Sequence, residues 1–193
     1  MAKRSNARSE PAGRIRIIAG DYRGRRLEVA SGTAVRPTPD RVRETLFNWL
    51  RDIVVGARCL DLYAGTGALG FEALSRGASE TWFVESADAL VAALDKHAAM
   101  LGVRPRIVRR DVAAFLASPA PQTFDIVFLD PPYSEPVEPL LEQLRNWLAL
   151  GAVIYVERPR AVGLPNLADA RWLKRAHAAA VEFGLLTFTQ PAT

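Results

Sequence analysis

The sequence has a single cysteine and only two histidines among its 193 residues. One cysteine, Cys59, excludes a disulfide scaffold, and the isolated histidines give no metal-ligand spacing, so we expect no metal. No apolar run reaches the roughly 18 residues that a membrane-spanning helix needs. The basic N-terminus has no apolar segment behind it that would make it a secretory signal. We therefore expect a cytoplasmic protein without a membrane partner, with Cys59 as a small buried residue.

Charge is distributed unevenly along the chain. The whole sequence has 25 Lys and Arg against 21 Asp and Glu, and 49% of its residues are hydrophobic, which is typical of a globular domain. Residues 1–51 alone hold 12 basic and five acidic side chains. Most of these basic residues are arginines, which make bidentate contacts to phosphate. The pattern favours a polyanionic partner, nucleic acid first.

The N-terminal quarter divides into three parts. We expect residues 1–13 to be a disordered lead-in, because they mix Ser, Asn, Pro, Gly and charges without periodicity. Residues 14–29 alternate basic and apolar side chains around two glycines, which predicts a small hairpin with a basic face. Asp40 is a plausible N-cap for a helix of about a dozen residues. Together the hairpin and the helix form a predicted extension over residues 14–54.

The remaining residues, 55–193, alternate short apolar runs with amphipathic helical patterns. This alternation predicts an α/β domain with an open, parallel sheet and right-handed crossovers. The final apolar segments, 171–176 and 181–189, suggest an antiparallel pair at the sheet edge. We predict strands at 59–63, 81–84, 106–108, 124–129 and 152–156, with helices at 68–76, 87–101, 112–117 and 135–148.

A glycine-rich turn follows the first predicted strand. Gly65, Gly67 and Gly70 satisfy the G-x-G-x-x-G pattern, which lets a backbone approach a ligand at a helix N-terminus. The pattern alone is weak, since a tight strand-to-helix turn gives the same residues. Asp61 precedes the turn and can accept hydrogen bonds from an amine or hydroxyl group. In such sheets, ligands bind beyond the carboxyl ends of the strands.

Acidic residues also end the second and third strands. Glu85 is placed to accept both hydroxyls of a ribose, whether that ribose belongs to a nicotinamide cofactor or to S-adenosylmethionine. Asp111 can accept from the exocyclic amine of an adenine, or cap the helix that begins near Val112, or do both.

The fourth strand ends in Asp130, Pro131, Pro132 and Tyr133. Two successive prolines stiffen the loop and disfavour helical geometry at Asp130. The carboxylate of Asp130 is an acceptor suited to an exocyclic NH₂ group, and Tyr133 can stack on the ring that bears this amine. The loop therefore indicates amine chemistry on a base.

These motifs together resemble S-adenosylmethionine-dependent N-methyltransferases of the Rossmann-like class. More narrowly, the chain resembles the RsmD family, which methylates the N2 amine of one guanine in small-subunit ribosomal RNA. The resemblance spans roughly residues 14–175 and weakens after residue 176. It rests on segments 16–20 (RIIAG), 23–25 (RGR), 36–38 (RPT), 40–48 (DRVRETLFN), 61–69 (DLYAGTGAL), 72–78 (EALSRGA), 130–133 (DPPY) and 154–157 (IYVE).

The resemblance implies a seven-stranded, mostly parallel methyltransferase sheet with an antiparallel edge, carrying the hairpin and helix as an extension. It implies a catalytic loop of Asp130, Pro131, Pro132 and Tyr133. It implies RNA contacts from Arg14, Arg16, Arg23, Arg25, Arg41 and Arg43, of which Arg43 could instead pair with a carboxylate on the surface of its helix. The cofactor S-adenosylmethionine would contact Arg36, Thr38, Asp61, Tyr63, Gly65, Thr66, Gly67, Glu85, Asp111, Val112 and Asp130.

Other functions share part of this pattern. An adenine-N6 methyltransferase shares the Asp-Pro-Pro-Tyr loop, although the chain lacks room for a large target-recognition domain. A nicotinamide oxidoreductase shares the glycines but gives no reason for that loop. A non-catalytic RNA-binding relative is the third alternative. For the favoured interpretation we expect the partner to be small-subunit ribosomal RNA, within an assembling ribosomal particle, bound by a monomer.

Overall fold

The computed structural model describes residues 13–29 and 38–189. A two-stranded hairpin precedes a helix and then an alternating α/β domain. The elements are β1 (Arg14–Arg16), β2 (Arg26–Glu28), α1 (Asp40–Trp49), β3 (Arg58–Leu62), α2 (Ala68–Ser75), β4 (Glu80–Glu85), α3 (Asp88–Leu101), β5 (Arg106–Arg109), α4 (Val112–Leu116), β6 (Phe124–Leu129), α5 (Glu138–Leu144), β7 (Leu148–Pro159), β8 (Ala170–Ala178) and β9 (Val181–Phe188).

Seven strands form the main sheet in the order β5-β4-β3-β6-β7-β9-β8. The first five in that order run parallel, while β9 is antiparallel to both β7 and β8. This confirms the predicted parallel sheet and its antiparallel edge pair. The hairpin of β1 and β2 is confirmed as a separate small sheet.

The strand register brings the polar strand ends together. Leu62 of β3 pairs with Val84 of β4 on one side and with Leu129 of β6 on the other. Leu129 pairs in turn with Val156 of β7. The chain leaves β3 in one direction to form β4 and β5, and returns on its other side to form β6. Residues that follow β3, β4, β6 and β7 therefore lie at the same edge of the sheet, around the point where strand order reverses. Such sheets bind ligands at this point.

Apolar layers cover both faces of the sheet. Helix α1 packs Leu46 and Phe47 onto one face, where the Phe47 and Phe128 rings lie 5.9 Å apart between centroids. Helices α4 and α5 cover the other face, where the Phe115 and Trp147 rings lie 4.3 Å apart between centroids, tilted by 33°. Complete burial of each such aromatic side chain contributes about 1.5–3 kcal/mol. Cys59 is buried within the first of these layers, as expected.

Two local predictions were wrong. The N-cap of α1 is Pro39 rather than Asp40, because the Asp40 carboxylate accepts a hydrogen bond from Arg43 instead of capping the helix. The predicted helix over 135–148 is shorter: α5 ends at Leu144, a 3₁₀ turn covers Arg145–Trp147, and β7 begins at Leu148.

The described residues contain no helix that is both long and apolar enough to cross a membrane. The predicted lead-in lies outside the described residues, apart from Gly13. The boundary between residues 54 and 55 stays a prediction.

Candidate active site

The glycine-rich turn connects β3 to α2 with a strained backbone. Tyr63, Gly65 and Gly67 have φ values of 57°, 55° and 78°, in the region that side chains disfavour. The turn thereby bends sharply and brings the N-terminus of α2 to the carboxyl end of β3. Thr66 and Gly67 lie in this turn, next to the first N–H groups of the helix.

Asp61 holds the turn through a buried hydrogen bond. Its Oδ2 accepts from the Gly70 N–H in the first turn of α2 at 2.9 Å. A Cβ atom at position 70 would lie 2.3 Å from the Phe83 ring, so only glycine allows this contact. Burial first, and then the charge of Glu85, raise the pKa of Asp61 well above its ordinary value. Contact of Asp61 with a cofactor stays a prediction.

Glu85 ends β4 and is held by three backbone donors. Its Oε2 accepts from the Gly65 N–H at 2.9 Å, and its Oε1 accepts from Ser86 and Ala87 at 2.8 and 2.9 Å. The carboxylate is buried and fixed directly beside the glycine-rich turn. This position suits the predicted ribose contact, which stays a prediction.

Asp111 caps helix α4. Its Oδ1 accepts from the Ala114 N–H at 2.9 Å, which confirms the N-cap alternative. Val112 begins the helix with its side chain buried in the core. Any contact of Val112 with an adenine ring would therefore come from its backbone, and the adenine role of both residues stays a prediction.

Asp130 follows β6, is half-buried, and lies near the buried carboxylates of Asp61 and Glu157. Thr38 Oγ1 donates to its Oδ2 at 3.5 Å, which connects Thr38, two residues before α1, to the Asp-Pro-Pro-Tyr loop. Burial, then the charges of Glu157 and Asp61, raise the pKa of Asp130 well above its ordinary value. Thr38 and Arg158 oppose this rise without cancelling it. Strongly perturbed carboxyl groups at a strand end are typical of functional sites.

Arg158 holds the Asp-Pro-Pro-Tyr loop, a role that no sequence motif predicted. The residue is 4% exposed, and its guanidinium donates to the carbonyl oxygens of Glu135 at 2.8 Å and Tyr133 at 3.3 Å. Tyr63 OH donates to the Glu135 carboxylate and attaches the loop to the glycine-rich turn. The only sequence signal was a charged pair, Glu157 and Arg158, that interrupts an apolar strand.

The remaining loop residues have different exposures. Pro131 is buried, whereas Pro132 and Tyr133 are exposed, and the Tyr133 ring is 45% accessible. An accessible ring beside the half-buried Asp130 carboxylate is suited to stacking on a base that enters the site. Arg36 and Pro37 lie outside the described residues.

Most of the predicted RNA-binding arginines lie on the surface. Arg14, Arg16, Arg23 and Arg25 are exposed on the hairpin, and Arg41 is exposed on α1. Their contact with RNA stays a prediction.

Arg43 was predicted to meet RNA, and this was wrong. Its side chain is fully buried, donates to the Arg16 carbonyl at 2.9 Å and to Asp40 at 2.6 Å, and lies 3.7 Å from Glu72. Position 43 is three and four residues before the buried Leu46 and Phe47, so it lies on the apolar face of α1.

The hairpin is attached to the side of the domain that carries the glycine-rich turn. The buried Glu72 carboxylate of α2 accepts from Ile18 and Ala19 at 2.7 and 3.1 Å. His97 Nε2 accepts from the Glu28 N–H at 2.9 Å, and its Nδ1 lies 3.2 Å from the Thr66 carbonyl. This geometry describes a neutral imidazole that donates to the glycine-rich turn and accepts from the hairpin. Among the described residues, no cluster of three or more potential metal ligands occurs.

The family model for conserved hypothetical protein 95 matches residues 15–185. The chain is 46% identical over 168 residues to ribosomal RNA small subunit methyltransferase D of Escherichia coli strain K12, covering 83% of this chain and 82% of that one. It is 43% identical over 154 residues to the protein of the same name from Haemophilus influenzae, covering 75% and 79%. The solved structure of the Escherichia coli protein yhhF is 41% identical, with a TM-score of 0.84 over 92% of this chain and 100% of that one.

Proposed function

This chain belongs to the family of conserved hypothetical protein 95, the RsmD family, and we propose that it methylates the N2 amine of a guanine in small-subunit ribosomal RNA, using S-adenosylmethionine. The names of its relatives, ribosomal RNA small subunit methyltransferase D, support the substrate class. The observation that carries the proposal is the half-buried Asp130 carboxylate beside the glycine-rich turn, at the reversal of strand order.

The residues of the turn fit the proposed cofactor. A nucleoside with ribose hydroxyls and an ammonium group needs acceptors, and Asp61 and Glu85 supply two buried carboxylates there. Gly65 and Gly67 offer backbone without side chains, so a ligand can approach closely. When bound, S-adenosylmethionine supplies an electrophilic methyl group on a sulfonium sulfur.

Asp130 would act on the amine rather than on the cofactor. Guanine N2 is a poor nucleophile because its lone pair is delocalised into the ring. A hydrogen bond from N2–H to the Asp130 carboxylate favours the pyramidal amine, whose lone pair can attack. The carboxylate then stabilises the positive charge that develops on nitrogen, and its raised pKa suits it to accept the proton that the nitrogen finally loses.

The loop geometry would supply placement. Arg158 holds the carbonyls of Tyr133 and Glu135, so the Asp-Pro-Pro-Tyr segment is fixed before substrate arrives. Holding the reacting groups in a fixed orientation removes a large part of the activation barrier of such a methyl transfer. The target base must leave its stack to reach Asp130, so a guanine in an RNA loop is a more accessible substrate than one in a duplex.

The hairpin would bind RNA phosphates without reading sequence. Replacing Arg16, Arg23 and Arg25 by Glu should flatten the dependence of log affinity on log salt concentration, while cofactor affinity changes little. An unchanged slope would locate the polyanion surface elsewhere. The cytoplasmic location, the particle substrate and the monomeric state stay predictions, which fractionation and sedimentation velocity can test.

The deciding experiment is transfer of a tritiated methyl group from S-adenosylmethionine to small ribosomal subunits that lack the modification. Digestion to nucleosides should yield labelled N2-methylguanosine, with fully modified subunits and Asp130→Ala protein as unlabelled controls. Label in N6-methyladenosine would favour the adenine alternative. Absence of label with intact cofactor and RNA binding would favour a non-catalytic relative.

A further inference from the structure

We propose that the outer edge of the sheet carries a second RNA-contacting surface, formed by Arg160, Lys174 and Arg175 and here named the edge surface. This inference rests on the proposed function, since it extends the RNA path past the catalytic loop. It concerns the edge strands after residue 158, for which no sequence motif predicted a function.

Charge concentrates in this part of the chain. Residues 158–180 contain five Lys and Arg against one acidic residue, whereas residues 52–193 as a whole have more acidic than basic side chains. Arg160, Lys174 and Arg175 are all exposed. Within the described ranges, Arg160 and Lys174 have no ion-pair partner, and only Arg175 pairs with a carboxylate, that of Glu182 at 3.0 Å.

The strand directions place these residues at the active-site end. Because β9 is antiparallel to β7 and β8 is antiparallel to β9, the end of β8 lies beside the end of β7. The Arg160 N–H donates to the Ala180 carbonyl of the β8–β9 turn at 2.8 Å. Lys174 and Arg175 lie four and three residues before Ala178, about 13 and 10 Å along the strand. As successive strand residues they project to opposite faces of the sheet, so the edge surface consists of the free edge of β8 with one cation on each side of it.

The edge surface is continuous with the catalytic loop. Arg158, two residues before Arg160, donates to the backbone of Tyr133 and Glu135. In the sheet, β8 is three strands from β6, which corresponds to about 14 Å from the strand that ends at Asp130. An RNA segment whose base enters the site can therefore reach Lys174 and Arg175 with neighbouring phosphates.

The hairpin and the edge surface lie on opposite sides of Asp130. The hairpin is attached to α2 and α3 through Glu72 and His97. These two helices connect β3, β4 and β5, on one side of β6, whereas β7, β9 and β8 extend on the other. An RNA strand that places one flipped base in the site continues on both sides of that base. In one direction it would meet the hairpin, and in the other it would meet the edge surface.

Lys and Arg side chains on an unpaired edge strand can also prevent that strand from pairing with another chain. Charge reversal separates the two purposes. Glutamate discourages edge pairing as lysine does, but it repels phosphate. If protection of the edge were the whole explanation, reversal would leave RNA affinity unchanged.

The test compares two triple variants of the full chain. The first, Arg160→Glu/Lys174→Glu/Arg175→Glu, reverses the edge surface. The control, Arg51→Glu/Arg104→Glu/Arg171→Glu, reverses three exposed arginines at the amino-end side of the sheet: position 51 precedes β3, position 104 precedes β5, and position 171 begins β8. Affinity for a labelled, single-stranded RNA and for transcribed small-subunit ribosomal RNA is measured over a series of salt concentrations.

We expect the edge variant to lower the slope of log affinity against log salt by about 2, from three lost phosphate contacts. The control variant should lower it by far less, and cofactor affinity should match wild type in both. Equal slopes for edge variant and control would overturn the proposal. So would unchanged affinity for both RNAs combined with weaker binding to ribosomal particles, because the surface would then contact a protein.

Folding and the proposed function are checked separately. If the triple Glu variant unfolds, Arg160→Ala/Lys174→Ala/Arg175→Ala gives the same comparison without added negative charge. Wild-type protein that binds and methylates RNA, beside an edge variant with wild-type slope, refutes the edge surface alone. Wild-type protein that neither binds nor methylates RNA refutes the proposed function, and the edge surface with it.

Discussion

Replacing Asp130 by Asn removes one half-buried negative charge and keeps the size of the side chain. The charge lies near two buried carboxylates, Asp61 and Glu157, and within reach of Thr38 Oγ1. The side-chain amide introduced by Asp130→Asn retains an acceptor oxygen for the hydrogen bond with Thr38. Any change in rate or stability then reports on the charge more than on the shape of the site.

The rate should fall because the charge is needed as nitrogen becomes positive. Removing one preorganised electrostatic stabiliser costs about 10²–10³ in rate, or roughly 2.7–4 kcal/mol in the barrier. Asp130→Ala also removes the acceptor and should fall further, so Asn should lie between wild type and Ala. Cofactor affinity should change little, since the predicted ribose and adenine contacts lie on other strands.

Stability should change in the opposite direction. The pKa of Asp130 is raised in the folded protein, so between its ordinary value near 4 and the raised value the folded state binds more protons than the unfolded state. Stability therefore falls as the pH rises through this window. Asp130→Asn removes that loss: the variant should be more stable than wild type at about pH 8 and nearly equal to it below about pH 4.

Single-turnover methyl transfer at saturating cofactor isolates the chemical step, and urea unfolding at the same two pH values gives the stability. Asp125→Asn is the matched control, because Asp125 lies on the same strand at the opposite end, where it pairs with Arg58. It should leave the rate unchanged. A fully active Asp130→Ala protein would remove Asp130 from the mechanism, and an Asn variant less stable than wild type at the higher pH would refute the electrostatic account.

Three further changes test the residues around the site. Glu85→Ala should weaken S-adenosylmethionine binding by roughly 1.5–3 kcal/mol by calorimetry, and an unchanged Kd in a folded variant would exclude the ribose role. Glu72→Ala leaves the buried Arg43 without its inner carboxylate and should cost about 3 kcal/mol in unfolding free energy, with faster proteolysis of the hairpin; equal stability would contradict the ion-pair role. His97→Phe removes two hydrogen bonds and should cost about 1–3 kcal/mol. Burial lowers the pKa of His97, so wild-type stability falls as the pH drops below about 6.5, and a variant that keeps this part of the pH dependence would refute the assignment.

Local sequence determined the strands and the residues that end them. Apolar runs of four to six residues between helical patterns have few alternatives to a parallel sheet, and in such a sheet the residues after each strand share one edge. Asp61, Glu85 and Asp130 were therefore predictable as neighbours without coordinates. The backbone conformation of the glycine-rich turn and of the two prolines was also predictable, because glycine permits positive φ and proline fixes φ at the residue itself.

Only the tertiary structure decided which charged residues are surface groups and which are internal supports. Arg43 looks in sequence like one more basic residue, yet it is buried, because helix α1 turns that position toward Glu72 and the hairpin. Arg158 holds the Asp-Pro-Pro-Tyr loop through carbonyls 23 and 25 residues away in sequence. Such pairings depend on long-range register, and no local pattern encodes them. The charges of Asp61 and Glu157 likewise act on Asp130 only because three strands align, so the raised pKa of Asp130 is a property of the fold.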